Sequence, residues 1–347
     1  MGLKAPARAR LEKHNVRYLP GGDMNKLKIT CLALAALLLP ASVETSNAQS
    51  VGYAQAIDRL GVSCGKDIDK LCKKTNLGGG RMTQCLEQNR AAVSSNCKAS
   101  LTDMSVLLAT RVQARAAVLR VCDVDIRRFC PGIQPGDGNL MECFYKARAN
   151  MSPACQKSVA DAGYDAKIDG SAATTQVALS STDLINSLQG VEQAGPDLSA
   201  ARLRQLAVQS LSDPARTNRM NRAPLTDQLG KLAQLTVAIQ FDFNSARIRP
   251  DSFRAVGLMA DALYHPYLQG YRFLIVGHTD GKGNREYNLK LSQQRADAIR
   301  EALINPFGIS PSRIEAVGLG EEQLLKAANP EAAENRRVQL INIGRGR

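Results

Sequence analysis

Tyr271–Leu303 reads YRFLIVGHTDGKGNREYNLKLSQQRADAIREAL. Its first six residues, Tyr271–Val276, are an apolar run with the composition of a strand. A Gly-rich turn carrying Asp280 follows, and Asn284–Leu303 has helical periodicity. Within that helix Asn288, Ser292 and Arg295 fall at i, i+4 and i+7, one stripe of its surface. Asp280 ends the strand just ahead of the helix, so its carboxylate can lie beside the first turns of the stripe. Arg295 is ~10 Å along the axis from Asn288 by helical rise, but its long side chain can lean back toward the N-terminus. An acid and an arginine a few ångströms apart complement an amino-acid head group, which carries an ammonium and a carboxylate on one carbon.

Outward from this stretch the pattern continues on both sides. Leu235–Phe243 reads as a strand, Asn244-Ser245 as a turn, and Pro250–Tyr264 as an amphipathic helix. After the long helix, Ile314–Val317 and Val338–Ile343 read as two more strands. The order βαβαββ predicts an α+β two-layer domain over 228–347, with helices on one face of the sheet. Blander roles exist for the two charged residues. Asp280 could cap the following helix and Arg295 could make a surface ion pair, each contributing ~1 kcal/mol or less. His278 stands near Asp280, but no motif places a Ser or Cys nucleophile beside it, so it reads as a packing or hydrogen-bonding histidine.

The chain has 347 residues, 45 Lys+Arg against 32 Asp+Glu, nine Cys and no Trp. That length predicts more than one domain. With 44% hydrophobic and 4% aromatic residues it is not a collagen, a coiled coil or a multi-span membrane protein. Ile29–Pro40 is the one long apolar run, too short to cross a bilayer. Lys26 and Lys28 precede it and Ser46-Asn47-Ala48 follows, so residues 1–48 read as a cleaved secretory signal, with Met24 as the start. Cys31 lacks the small residues of a lipidation site. Removing 1–48 leaves 38 basic and 29 acidic residues, net +9. A basic exported protein is expected to meet an anionic envelope polymer or lipid. Nucleic acid is excluded, because aromatic platforms and a basic helix stripe are both missing.

The other eight cysteines are periodic. Cys64, Cys72, Cys85 and Cys97 are followed by Cys122, Cys130, Cys143 and Cys155, with steps of 8, 13 and 12 repeated at a period of 58. Asp67/Asp125, Gly80/Gly138 and Ser94/Ser152 recur at the same offset. Residues 49–162 therefore read as two all-α units. An even cysteine count behind an export signal points to disulfides. Zinc is disfavoured, because there is no C-x2-C pair and no His between 49 and 264, and no metal or other cofactor is expected. Cys72 and Cys85 flank the turn of a helical hairpin, which makes Cys72–Cys85 with Cys64–Cys97, and Cys130–Cys143 with Cys122–Cys155, the best of three connectivities per unit. Residues 163–227, rich in Ala, Ser, Thr, Gln and Gly, read as a flexible linker with transient helix, in which patches such as LINSLQ and SAARLRQLAVQSL could form short helices, or as an ordinary variable loop region.

Two resemblances sharpen these readings. The cysteine rhythm, with its Gly turn, resembles the cysteine-rich repeat of the Golgi apparatus protein family, over 64–159. That implies an extracytoplasmic helical module without catalytic residues, and it names no ligand. GHTD at 277–280, YNLKLSQQRADAI at 287–299, NRRV at 335–338 and FDFNSARI at 241–248 resemble the OmpA C-terminal domain family, over 232–345. That resemblance implies a non-catalytic binder of peptidoglycan that grips the diaminopimelate of the stem peptide. It implies that Asp280 and Arg295 hold the two charged ends of that residue, that Asn288 and Thr279 assist, and that Arg337 contributes from the last strand. The sequence departs from the family's usual settings in having neither an outer-membrane barrel before the domain nor a lipid anchor. The expectation is a periplasmic protein that localises a cysteine-rich module, with a possible envelope protein partner, at the wall. The alternatives are a secreted ligand-binding protein whose C-terminal domain does not bind wall, and a cell-wall hydrolase.

Overall fold

The computed structural model describes residues 52–133, 138–164, 181–189, 194–195, 198–212 and 229–346. The signal segment, with Met24 and Cys31, lies outside the described residues, as does part of the interval 163–227.

The first half is helical: α1 (Tyr53–Leu71), α2 (Arg81–Gln88), α3 (Ser95–Val121), α4 (Asp123–Phe129), α5 (Asn139–Ala147) and α6 (Pro153–Asp161). Disulfides join Cys64 to Cys97, Cys72 to Cys85, Cys122 to Cys155 and Cys130 to Cys143. The other repeated residues have matching roles in the two units. Ser94 caps α3 by accepting from Cys97 N at 3.3 Å while its hydroxyl donates to Asp67 at 2.6 Å. Ser152 does the same for α6 with Cys155 N and Asp125, at 3.3 and 2.7 Å. The carboxylate thus clamps the cap that presents the fourth cysteine. Gly80 and Gly138 sit at φ 69° and 76° at the starts of α2 and α5, a backbone conformation that disfavours any side chain. Helix α3 runs unbroken from the first unit into the second.

The second half builds a four-stranded sheet from β1 (Gln234–Val237), β2 (Tyr271–His278), β3 (Ile314–Gly320) and β4 (Val338–Arg345), in the order β1-β4-β2-β3. β2 and β3 are parallel, and β4 is antiparallel to both β1 and β2. β1 ends at Val237, earlier than its apolar composition predicts. Residues 238–249 leave the sheet and form a loop closed by one bridge, Phe241–Ile248, and by Asp242 N donating to Arg247 O at 3.1 Å. Helices α9 (Phe253–Leu263) and α10 (Arg285–Ile304) cover the face carrying Phe273, Ile275, Ile314 and Leu340. Gly318 permits the approach of α10, since a Cβ there would lie 2.0 Å from Gln293 N.

The opposite face is also covered, so the domain gains a third layer. Leu274, Val276, Val317, Leu319, Ile341 and Ile343 form a second core with Leu203 and Ala207 of α8 (Ala200–Ser210). Another helix from the same interval, α7 (Ser181–Leu188), buries Leu184 and Leu188 in the main core, and Asn342 Nδ2 donates to Leu188 O at 2.8 Å. The two patches read as short helices are helices here, and both pack on the domain.

The cysteine-rich helices share the main core as well. Gly257 of α9 lets α1 pack so closely that a Cβ would lie 2.6 Å from Ala54 Cα. Asp261 of α9 accepts from Tyr53 N and Ala54 N at 3.0 and 2.9 Å and pairs with Arg111 of α3 at 2.9 Å, both side chains 1% exposed. The Tyr53 ring lies 5.4 Å from that of Tyr264 and 5.1 Å from that of Phe307. The second repeat docks through Tyr145, edge-on to His265 and Tyr267, and through Arg345 pairing with Glu142 at 2.5 Å. Removing one partner of a buried pair strands the other charge, at about 3–5 kcal/mol. Asp261→Ala should therefore lower the unfolding free energy of the oxidised chain by about that amount in urea titration. A loss below about 1 kcal/mol would show that the pair is not a keystone.

Candidate functional site

The turn after β2 is fastened from several directions. Thr279 N donates to Gly320 O at 2.9 Å and Gly281 N to Pro330 O at 2.8 Å. Asn288 is buried, and its Nδ2 donates to Lys282 O at 3.0 Å, Asp280 O at 3.3 Å and Glu321 Oε2 at 2.8 Å. Its amide shapes the turn and so orients Asp280. The Thr279 hydroxyl is buried without a hydrogen-bond partner among the described residues. Asp280 does not cap the helix. Asn284 does, accepting from Tyr287 N at 3.0 Å.

Asp280 keeps 16% of its side chain exposed and accepts from Arg336 Nη1 at 2.7 Å, with Arg336 half exposed. Arg295 is held from another side. Its Nε donates to Ser245 O at 3.0 Å in the loop after β1, and its guanidinium lies 4.9 Å over the Phe241 ring. Neither Nη of Arg295 makes a hydrogen bond among the described residues, and no carboxylate pairs with it there. Burial lowers its pKa, the charge of Arg336 acts in the same direction, and Tyr287 and Asp280 oppose them. Tyr287, at the mouth of the turn, hydrogen-bonds Asn244, and the neighbouring Phe243 is 99% exposed.

Thus Asp280, Arg295, Asn288 and Thr279 gather at one end of the sheet, and Arg337 does not join them. Arg337 is buried on the opposite side, where its Nη2 donates to Gln323 O at 3.0 Å and burial pushes its pKa down to about 10. Arg336 is the residue that reaches Asp280. The two-residue period of the strand was the signal for this. Arg337, Gln339 and Ile341 share one side, and His278 sits with them, its Nε2 2.6 Å from Gln339 Oε1. Asn335, fully buried, accepts from Lys326 N at 2.8 Å and donates to Pro330 O at 2.9 Å, which braces the carbonyl that holds Gly281. The site therefore offers an acid and a cation on separate scaffolds, both partly buried. No cluster of metal-ligating side chains occurs among the described residues, and no described helix is long and apolar enough to cross a membrane.

Parts of the chain are similar to known proteins. Residues 240–337 match the model of the OmpA family, and residues 95–152 match a model described as a cysteine rich repeat. Residues 240–337 form an OmpA-family domain. Its turn and loop fall inside the match. The chain is 37% identical over 102 residues to a peptidoglycan-associated lipoprotein of Pseudomonas putida, covering 29% of this chain and 59% of that protein. It is 31% identical over 113 residues to outer membrane porin F of Pseudomonas aeruginosa, covering 32% of each. Among solved structures, the peptidoglycan-associated lipoprotein from Burkholderia pseudomallei is 31% identical, covering 38% of this chain and 99% of that one, with a TM-score of 0.26. The chain spans about three-fifths of the length of the peptidoglycan-associated lipoproteins from the two Pseudomonas species that it matches.

Two histidines of the OmpA-family domain are kept neutral. Burial and then the charge of Arg148 push His265 down to about 4. Burial and then Arg337 hold His278 well below 6.5. The unfolded chain takes up these protons near pH 6.5 while the folded chain does not, so stability is full above that pH and falls as pH drops toward 4. The melting temperature should be lower at pH 5 than at pH 7, and His265→Phe should flatten the difference. A pH-independent melting temperature over that range would contradict the burial of both rings.

Proposed function

We propose that this chain is a non-catalytic protein of the bacterial envelope that holds peptidoglycan through the diaminopimelate of the stem peptide. The observation that carries the reading is the opposed pair Asp280 and Arg295. Each is held by a different loop, neither is paired with the other, and both are only partly buried. A zwitterionic head group complements this pair. Its ammonium replaces Arg336 on Asp280, and its carboxylate takes the vacant face of the Arg295 fork. Asn288 and Thr279 act through the turn. Just ahead of the last strand it is Arg336, in place of Arg337, that lies at the site. The peptidoglycan-associated lipoproteins among the relatives support the ligand and an envelope location. Export by a cleaved signal, a periplasmic position, and localisation of the cysteine-rich repeats and any protein partner of theirs at the wall complete the proposal.

Cosedimentation of the oxidised chain from Gln49 onward with diaminopimelate-type sacculi tests it. Losing one charge leaves its counterpart on the ligand unpaired, at roughly 2–5 kcal/mol, so Asp280→Ala and Arg295→Ala should each weaken binding by about thirtyfold or more. Lys290→Ala, an exposed cation elsewhere on α10, should bind normally. Lys-type wall, whose residue lacks the second head-group carboxylate, should be retained poorly, and no soluble muropeptides should appear. Wild-type binding by the two site variants, or equal retention of Lys-type wall, would contradict the clamp.

A further inference from the structure

The first cysteine-rich repeat reaches into the loop that holds Arg295. Asn76 lies in the turn between α1 and α2, closed by the Cys72–Cys85 bridge. Its Nδ2 donates to Ala246 O at 2.7 Å, and its Oδ1 accepts from Ile248 N at 3.1 Å. One side chain thus satisfies a carbonyl and an amide of the loop, as a neighbouring strand would. Beside it Arg247, almost buried, donates through Nε to Asp242 of its own loop at 2.6 Å and through Nη2 to Asp69 of α1 at 2.5 Å. Within itself the loop is tied by one bridge, by the backbone bonds from Asp242 N to Arg247 O, Ser245 N to Asp242 O and Arg249 N to Gln240 O, and by the Arg247–Asp242 pair. The bonds to Asn76 and Asp69 fix it from outside. Ser245, which receives Arg295 Nε, immediately precedes the residue fixed by Asn76.

We infer that the first repeat completes the wall-binding site, with Asp69 and Asn76 as positioning residues that hold the 241–248 loop, and through Ser245 the guanidinium of Arg295, in its binding geometry. This rests on the peptidoglycan reading above. The repeat therefore serves the site in addition to any role as cargo. An OmpA-family domain stripped of it binds more weakly although every ligand-facing residue is present.

The test is cosedimentation of the chain from Gln49 onward with diaminopimelate-type sacculi, with loop order read separately. Asn76→Ala should weaken binding about tenfold, from two lost loop contacts. Asp69→Ala should cost about threefold, because its carboxylate is 59% exposed, and Asp69→Glu should restore binding. The chain has no Trp, so Phe243→Trp places a single fluorescent reporter on the loop. Adding Asn76→Ala should lower its anisotropy without wall present, at a temperature where the protein is fully folded. A merely stabilising contact would leave that anisotropy unchanged. If Asn76→Ala fails to fold, the Asp69→Ala and Asp69→Glu pair decides. Wild-type binding by Asp280→Ala would defeat the peptidoglycan reading itself. Loss of binding in Asp280→Ala, with wild-type binding and anisotropy in the Asp69 and Asn76 variants, would overturn only the brace.

Discussion

One carboxylate, Asp261, joins the two halves of this molecule. It takes the place of a capping side chain for α1, whose own N-cap residue is Gly52, by accepting from Tyr53 N and Ala54 N, and it neutralises Arg111. All of these groups are out of water, where an unpaired charge costs several kcal/mol, so they stand or fall together. The acid belongs to the sheet's own helix, and its partners belong to the cysteine-rich helices. Neither half can bury these groups properly alone.

The site inherits its geometry from that junction. With α1 seated on α9, Asp69 and the turn bearing Asn76 arrive at the loop after β1. The loop in turn meets Arg295, while Asn288 and Asn335 fix the opposing turn that presents Asp280. The second face is organised in the same manner. The first residue of α8, Ala200, donates to Glu315 of β3, and Arg285 donates to Ser210 O at its far end at 3.1 Å. Arg285 also pairs with the buried Glu322 at 2.8 Å, so the start of α10, where the stripe of site residues begins, is tied to both layers.

Much of this was legible in the residues themselves. The 8-13-12 cysteine rhythm carried the helical units, and the spacing of Asn288 and Arg295 put both on one side of α10. Ser292 between them is fully buried, its hydroxyl donating to Leu289 O and accepting from Gly320 N. What escaped was contact across the fold. LINSLQ and SAARLRQLAVQSL are apolar enough to read as short helices, but nothing in their sequence says which surface they pack on, and in the fold they lie against the core and the second face of the sheet. The unbroken run Phe273–Val276 was a sign that the second face is covered, since a strand apolar on both sides is buried on both. The choice of Arg336 over Arg337 turned on the pleat. Asp261, a single acid in an apolar helix, has no sequence partner that would reveal its role.

The most direct test of this account is calorimetry of the oxidised chain from Gln49 onward, because a shared buried junction and two tethered domains predict different melting. A shared core predicts one cooperative transition, with calorimetric and van't Hoff enthalpies equal. Two separable transitions, one for the disulfide-bonded helices and one for the OmpA-family domain, would contradict it.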